Sequence, residues 1–310
     1  MWRALCETGI AMELDWLEDF AALAELGNFS RAAEARHVTQ PAFSRRIRAL
    51  EDWIGTPLFS RTAQGVVLTP AGAQFRPGAE ETVRRIHQLR NEAREAAGRE
   101  ATTLRFAATH ALSFTFFPSW IRGLEQGATP ATVRLISDHM RACEDLMLHG
   151  EAQFLLCHHH PDAPDRFQSG QFHSIAVGAD VLLPLTAPDA HGAPRWRLPG
   201  SHAAPARYLG YSAESGLGRI IAARWARDPQ ALTLEVVFTS HLAAALMSMA
   251  RDGSGIAWLP QSLAGDDMAA GRLLRAGDPG FDIPLEIRLF RPHARQSATA
   301  EALWARVSRA

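Results

Sequence analysis

Two helices joined by a tight turn, predicted between residues 28 and 51, constrain this chain most strongly. Thr39 is expected to be the N-cap of the second helix, its hydroxyl accepting an amide, and Pro41 lies in the first turn, where a missing N–H costs little. Three apolar residues recur at helical spacing and predict the buried stripe: Phe43, Ile47 and Leu50. Off that stripe lie three polar residues: Ser44, Arg45 and Arg48. Such a helix suits a reader of the DNA major groove.

The residues around these helices follow a specific order. Phe29-Ser30-Arg31-Ala32-Ala33 precedes Val38-Thr39-Gln40-Pro41-Ala42, and Gly55-Thr56-Pro57-Leu58-Phe59-Ser60-Arg61 follows. These segments resemble the helix-turn-helix of LysR-type transcriptional regulators. The resemblance implies a winged helix-turn-helix DNA-binding domain over residues 13–69, with Arg61 at the start of the wing. The alternative is a two-helix corner of an unrelated α-helical domain.

Eleven residues of this segment are expected to contact DNA. They are Ser30, Arg31, Thr39, Gln40, Pro41, Ala42, Ser44, Arg45, Arg46, Arg48 and Arg61. Four of them are expected to approach base edges: Gln40, Ala42, Ser44 and Arg45. Four arginines are better candidates for phosphates: Arg31, Arg46, Arg48 and Arg61.

The charge of the chain is nearly balanced, with a formal net charge of -1. This excludes a strongly basic protein that coats DNA without sequence preference. DNA binding must therefore come from a local patch, and residues 31–61 hold six arginines against three acidic residues. We expect this modest patch to need a second copy of the module.

Cysteine usage and hydropathy indicate a cytoplasmic protein. The 3 cysteines are widely spaced and make no disulfide framework, which fits a reducing compartment. No apolar run is long enough to cross a bilayer. The N-terminus lacks the basic start and apolar core of a signal peptide.

A long helix is predicted over residues 70–98, since Thr69-Pro70 is a helix start signal. Six residues form a heptad seam along it: Ala79, Thr82, Ile86, Leu89, Ala93 and Ala96. A seam with nothing local to cover it favours a second copy of the chain. In LysR-type regulators this helix is the linker that pairs two DNA-binding domains, so the resemblance implies a homodimer or homotetramer. The alternative is packing against its own chain.

From Leu104 to Phe290, candidate strands alternate with helices, which predicts an α/β region with a mostly parallel sheet. Two segments resemble the effector-binding half of LysR-type regulators: residues 104–113 and residues 252–260. The resemblance implies an effector-binding domain over residues 103–310, with two lobes of periplasmic-binding-protein type. Lobe I is expected at about 103–167 and 264–310, and lobe II at about 168–263. The predicted fold class is thus α+β multidomain.

Hydroxyl and imidazole side chains follow several of these strands. The candidates for contact with an effector are Thr109, His110, Ser113, Tyr211, Ser212, Thr239, Ser240 and His241. Hydroxyls and free amides at helix starts favour anions, so a small anionic effector is expected. The alternative is ordinary helix capping, with the two histidines satisfied in the core.

Metal and enzyme interpretations have little support. The run from His158 to His160 follows Cys157, but successive residues on a strand point to opposite faces and rarely converge on one ion. We find no nucleophile elbow, zincin helix or Walker loop. We therefore expect neither a metal nor a cofactor, and no enzyme activity.

The sequence thus predicts a sequence-specific transcriptional regulator that binds double-stranded DNA at an inverted repeat, with RNA polymerase as a further partner and no membrane partner. Several of its segments are similar to the hypochlorite-responsive subgroup of the LysR-type family. That similarity implies a second hypothesis, in which oxidation of a residue such as methionine replaces the small effector. A hypothesis of another class is an α/β solute-binding protein or enzyme with an incidental helical N-domain.

Overall fold

The computed structural model describes residues 12–63, 65–97, 103–125, 132–167, 171–227 and 232–309. These residues form two compact units. The first contains the described residues up to Ala93 together with Leu148–Gly150, and the second contains the others. The predicted end of the long helix at residue 98 and the predicted crossing to lobe II near residue 168 lie outside the described residues.

The first unit consists of a three-helix cluster, a two-stranded wing and the start of a long helix. Its elements are α1 (Leu14–Leu26), α2 (Phe29–Ala35), α3 (Gln40–Ile54), β1 (Phe59–Thr62), β2 (Gly65–Leu68) and α4 (Pro70–Ala96). The predicted stripe of α3 is buried, and it packs against Phe20 and Leu23 of α1. This arrangement is the winged helix-turn-helix expected from the sequence.

Gly72 allows α4 to lie directly against the chain before the wing. A Cβ atom at this position would stand 2.1 Å from the carbonyl oxygen of Leu58. Thr69 fixes the same junction, because its hydroxyl donates to Pro57 O at 2.8 Å and accepts from Gly72 N at 3.0 Å. The close approach therefore requires glycine.

The seam residues of α4 differ in how far they are buried. Ala79 is buried in the core of the first unit. Ile86 and Leu89 remain 41% and 48% exposed in the single chain. The side chain of Ala96 lies outside the described residues.

The second unit is built on a seven-stranded sheet and a two-stranded sheet. The strands are β3 (Thr103–Thr109), β4 (Thr132–Asp138), β5 (Phe154–His159), β6 (Phe172–Thr186), β7 (Ala206–Tyr211), β8 (Leu234–Ser240), β9 (Ala257–Pro260), β10 (Leu274–Arg275) and β11 (Ile283–Pro292). The helices are α5 (His110–Thr115), α6 (Phe117–Glu125), α7 (Met140–Leu148), α8 (Gly216–Ala226), α9 (Ala243–Arg251), α10 (Gln261–Ala269) and α11 (Ala298–Val307). The large sheet runs β10-β6-β11-β5-β3-β4, and β9 pairs with β6.

The expectation of a mostly parallel sheet is wrong. β3 is parallel to β4 and to β5, and β7 is parallel to β8, but β6 and β11 pair antiparallel with each other and with their further neighbours. The reason is that the chain leaves lobe I along β6 and returns along β11, so these two strands must run in opposite directions.

Two apolar cores divide the second unit, and they define its two lobes. The core of lobe II includes Ile283 and Leu285 of β11, so the chain returns to lobe I later than the predicted residue 264. Phe106, Phe154 and Leu289 belong to the core of lobe I. Tyr208 and Trp258 belong to the core of lobe II. Because β6 and β11 contribute residues to both cores, they are the strands that connect the lobes.

Two glycines of α4 offer a matched test of its junction with the wing. Gly72→Ala is expected to lower the free energy of unfolding by about 1–3 kcal/mol, because backbone must move away from the new Cβ. Gly78→Ala, on the same helix with nothing within 4 Å of its Cβ position, is expected to raise it by about 0.5–1 kcal/mol. Urea denaturation followed by far-ultraviolet circular dichroism measures both. Equal changes in the free energy of unfolding for the two substitutions would contradict the close approach of Gly72 to Leu58.

Candidate functional site

The start of α3 differs in one detail from the expectation. Thr39 is the N-cap by position, but its hydroxyl accepts no amide. Pro41 occupies one of the first two positions of the helix and has no N–H to donate, which removes one of the few amides that a capping side chain can reach. The Thr39 side chain is exposed, and its hydroxyl is therefore available to an external acceptor or donor.

The outer face of α3 presents the residues expected at base edges. Gln40 and Arg45 are exposed, and Ala42 and Ser44 are half-buried. The Gln40 side-chain amide donates to Ser44 Oγ at 3.0 Å, so these two side chains are oriented together. Arg48, one turn further along, is also exposed.

Two neighbouring segments continue this face. The Asn28 side chain accepts from Ser30 N at 2.9 Å and Arg31 N at 3.1 Å, and it fixes the start of α2 with both residues exposed. In the wing, Arg61 is exposed and its guanidinium lies 5.9 Å from the centre of the Phe29 ring. Glu51 Oε1 accepts from the amides of residues 58 and 59 at 2.8 and 3.1 Å, which ties the wing to α3. The expected DNA contacts therefore lie on α2, α3 and the wing.

Arg46 is the exception among these residues. Its guanidinium lies 3.2 Å from Asp15 and 3.4 Å from Asp19, both on α1. Asp19 is fully buried and also accepts from Arg36 Nε at 2.8 Å. Arg46 was expected at a phosphate, but the structure places it in an ion-pair network that holds the three helices together. By contrast, Arg31, Arg45 and Arg48 form no ion pair with any described residue.

Glu18 extends the same network to α4. Its carboxylate lies 2.5 Å from Arg36 and 3.0 Å from His87 Nε2. Burial alone would raise the pKa of Glu18, but the hydrogen bond from His87 and the charge of Arg36 outweigh burial and hold that pKa below its usual value. The same acids hold the pKa of Arg36 above its usual value despite the cost of its burial. Glu18 and Arg36 are therefore both charged at neutral pH.

A second candidate site is a cavity of about 30 Å³ in the second unit. Its wall includes Thr109, His110, Asp138, His139, His158, Ser215, Gly216 and His241. The volume is enough for one or two water molecules or a small ion. The two lobes both contribute, since His110 and His139 follow strands of lobe I and His241 follows β8 of lobe II.

Three imidazole rings meet in this cavity. The ring centre of His241 lies 5.8 Å from that of His110 and 5.5 Å from that of His139. His110 Nδ1 is 3.1 Å from Ser137 Oγ, which is in turn 2.8 Å from Ser113 Oγ. His139 Nδ1 accepts from Ala142 N at 3.1 Å, so His139 keeps its proton on Nε2 when it is neutral.

Burial in this cavity favours the neutral form of His110. Burial lowers the pKa of His110 below its usual value, Asp138 partly opposes that shift, and the neighbouring His241 and His139 add to it. Helix starts reinforce the preference for a negative ligand: α8 begins at the cavity wall behind its N-cap Ser215, and α7 begins behind His139. The arrangement can therefore bind an anion through donors and protonatable rings.

The other predicted effector contacts lie in different surroundings. The Tyr211 hydroxyl donates to Trp258 O at 2.9 Å, and burial holds the pKa of Tyr211 far above its usual value. Ser240 Oγ accepts from Leu242 N at 3.1 Å, which is an ordinary helix-start bond. The Ser212 amide donates to Ser240 O at 3.1 Å, and Thr239 is exposed. None of these four described residues lines the cavity.

Three charged or titratable residues of the wall were not among the predicted contacts: Asp138, His139 and His158. Asp138 and His139 join β4 to α7, which is the same kind of strand-to-helix junction that suggested Thr109 and His110. His158 belongs to the run of three histidines, and the structure separates that run. His158 lies 3.1 Å from Asp180, His159 lies 3.7 Å from Glu286, and His160 lies 3.5 Å from Asp162.

Comparison with known proteins identifies the family. Residues 14–73 match the bacterial regulatory helix-turn-helix proteins of the lysR family, and residues 97–310 match the LysR substrate binding domain. The chain belongs to the LysR family, and it is a DNA-binding transcriptional regulator with an effector-binding domain. Curated relatives that it matches are transcriptional regulators by name. No described helix is long and apolar enough to cross a membrane.

Three relatives cover nearly the whole chain. The HTH-type transcriptional regulator YjiE of Escherichia coli (strain K12) is 31% identical over 293 residues, which are 94% of this chain and 93% of YjiE. The full-length structure of HypT from Salmonella typhimurium, a hypochlorite-specific LysR-type regulator, is 31% identical, with a TM-score of 0.56 over 96% of this chain and 97% of HypT. DarR from Vibrio fischeri, solved in complex with DNA, is 28% identical, with a TM-score of 0.55 over 96% of this chain and 99% of DarR.

Two arginines of α3 provide a matched test of the DNA-binding face. Arg48→Gln is expected to weaken binding to all DNA sequences and to reduce the slope of log affinity against log salt by about 0.9, because one phosphate contact is lost. Arg46→Gln is expected to leave that slope unchanged and to lower the free energy of unfolding by about 1–3 kcal/mol, because Asp19 loses a charged partner. Gel shift at several salt concentrations and urea denaturation measure the two effects. A reduced salt slope with unchanged stability in Arg46→Gln would contradict the placement of Arg46 in the ion-pair network.

Proposed function

We propose that the protein is a cytoplasmic homo-oligomer in which two copies of α3 read the half-sites of an inverted repeat. The exposed pair Ile86 and Leu89 supports pairing through α4, because large apolar side chains on one stripe of a helix favour a covering partner. A second copy also doubles the small set of arginines available to phosphates. In that assembly the linker over 70–98 joins the DNA-binding domain at 13–69 to the effector domain at 103–310.

Gln40 is the residue that we assign to base reading. It stands exposed at the first position of α3, and its bond to Ser44 orients its amide. An amide side chain can pair with one base edge through a donor and an acceptor. Arg31, Arg48 and Arg61 are assigned to phosphates, where they set position rather than sequence.

Replacing Gln40 tests base reading directly. Gln40→Ala is expected to reduce discrimination at one base pair of each half-site by about 1–3 kcal/mol, with little change in affinity for unrelated DNA. Binding to single-base variants of the operator, measured by fluorescence anisotropy, gives the preference at each position. Glu34→Ala, on the neighbouring helix α2, is the control and should leave every preference unchanged. An unaltered pattern in Gln40→Ala would contradict its assignment.

We further propose that the effector is a small anion held in the histidine-lined cavity. The observation that carries this proposal is the meeting of His110, His139 and His241 beside two helix starts in a volume that suits a small ion. The regulatory domain of one relative, HypT from Salmonella typhimurium, has been solved with a bromide ion bound. An anion that bridges the two lobes would favour one relative placement of them and so shift the DNA-bound form.

An anion in this cavity should bind more tightly at low pH. The free protein keeps His110 neutral because burial lowers its pKa, and a bound anion would raise that pKa, so binding takes up protons. Affinity is expected to fall as pH rises through the histidine range, by up to about tenfold per pH unit for each proton taken up. Bromide affinity from thermal-shift titrations between acidic and mildly basic pH measures the trend, with sodium gluconate, whose anion is too large for the cavity, as the ionic-strength control. A pH-independent affinity would contradict the proposal.

Oxidation is the second candidate signal, favoured by the similarity to HypT, which is a hypochlorite-specific regulator. The two described cysteines do not support it, because burial raises the pKa of Cys143 to about 12 and that of Cys157 well above its usual value. Thiols in this state react slowly. Met140 lies at the cavity wall, which makes it a candidate for such a role. Mass spectrometry after hypochlorite treatment, with DNA affinity measured in parallel, distinguishes the two signals.

A further inference from the structure

β6, one of the two strands that connect the lobes, carries a buried carboxylate with hydrogen-bond partners on two other elements. Asp180 lies on β6, and it is almost completely buried. On one side His158 Nε2, on β5, stands 3.1 Å from Asp180 Oδ2. On the other side Ser262, at the start of α10, donates its hydroxyl to Oδ2 at 2.5 Å and its amide to Oδ1 at 3.1 Å.

Asp180 stands where β6 passes from one lobe to the other. Val177, three residues earlier, packs against the core of lobe I, and Leu182, two residues later, belongs to the core of lobe II. Its partners are divided in the same way. His158 lies on β5, a strand of lobe I. Ser262 lies on α10, whose Ala264 packs with Leu183 and Leu259 in a further apolar cluster of lobe II.

Asp180 is ionised in this environment. Burial alone would raise the pKa of Asp180, but the hydrogen bonds from His158 and Ser262, the charge of His158 and the amide of Val181 together hold that pKa below its usual value. A fixed negative charge beside Nε2 holds a proton on that nitrogen and orients the His158 ring. Within the described residues, Nδ1 of His158 has no partner.

His158 also forms part of the wall of the histidine-lined cavity. His158 is therefore part of the proposed anion site and also contacts Asp180, which lies where β6 passes between the lobes. Charged and titratable groups around it come from several elements: Asp180, His110, Asp138, His139, His241, Arg219, Asp165 and His160.

We propose that His158 contacts the anionic effector, that Asp180 orients it, and that the chain His158–Asp180–Ser262 transmits occupancy of the cavity to the junction of the lobes. This inference rests on the proposed anion site. When the anion binds, His158 takes one proton from solvent on Nδ1 and donates it to the anion in a hydrogen bond, while Nε2 keeps its proton and its bond to Asp180. At His158 no other bond forms or breaks, and the proton taken up here adds to any that His110 takes up. Asp180 is a positioning residue, and Ser262 carries the connection to lobe II.

Proton uptake on addition of bromide tests this role. Bromide is a very weak base, so the protons consumed in an unbuffered solution of the full chain near pH 6.5 are taken up by the protein. We expect the unsubstituted protein to consume protons and His158→Gln to consume fewer and to bind bromide at least threefold more weakly. His159→Gln, the next residue on the same strand, is the matched control and should resemble the unsubstituted protein.

Two further variants separate positioning from folding. Asp180→Asn keeps the size of the side chain but removes the charge, and it is expected to reduce proton uptake as His158→Gln does. Ser262→Ala should keep bromide affinity and proton uptake but lose the effect of bromide on DNA affinity. If His158→Gln does not fold, these two variants decide the matter.

The outcomes separate this inference from the anion proposal. If the unsubstituted protein shows neither bromide binding nor proton uptake, the proposed anion site is wrong and this inference is wrong with it. If the unsubstituted protein binds bromide but His158→Gln and Asp180→Asn behave like it, the anion site stands and the role of His158 is overturned. A Ser262→Ala protein whose DNA affinity still responds to bromide would overturn the transmission through Asp180.

Discussion

The buried carboxylate of Asp19 is the interaction on which the DNA-binding unit depends. It has no access to water, so it requires the two arginines that meet it, Arg36 from the end of α2 and Arg46 from α3. These contacts fix α3 against α1 and α2. They also consume two of the six arginines between residues 31 and 61, which leaves fewer cations for phosphates than the sequence suggests. The same small set of arginines therefore serves both the stability of the fold and the binding of DNA. A second copy of the unit would supply further arginines for phosphate contacts.

In the effector unit, the site likewise depends on side chains brought together from separate elements. β6 and β11 extend through both lobes, and the cavity lies where side chains from the two lobes meet. Three histidines and several helix starts supply donors there, while the small volume limits the ligand. Asp180 lies at the passage of β6 between the lobes. The fold thus places His158, which we propose contacts the anion, next to Asp180 on a strand that passes between the lobes.

Short-range patterns predicted the first unit well. Helical spacing located Phe43, Ile47 and Leu50, all buried, and the start signals located α3 and α4. The pattern failed where a partner outside the local sequence decides the outcome. Arg46 looks like any exposed arginine until α1 brings Asp15 and Asp19 to it. Thr39 looks like a capping residue, but the nearby proline has no amide to offer.

The effector unit was less predictable, since its site is assembled from distant segments. The alternation of candidate strands and helices indicated an α/β region but not the antiparallel pairing of β6 with β11, because distant segments of the chain form that pair. His110 and His241 were nominated one at a time, because nothing in the sequence shows that residues 131 positions apart become neighbours. His158 was hidden in a run of histidines whose members point in different directions.

Selection of bound sequences from a random DNA library tests the central claim most directly. We expect an inverted repeat, with two identical half-sites at fixed spacing, because we propose that a pair of identical α3 helices reads the DNA from two sides. The half-sites should be recovered with the full chain and lose one base preference with Gln40→Ala. Recovery of no enriched sequence, or of a single site without symmetry, would contradict the claim that paired copies of α3 read this DNA.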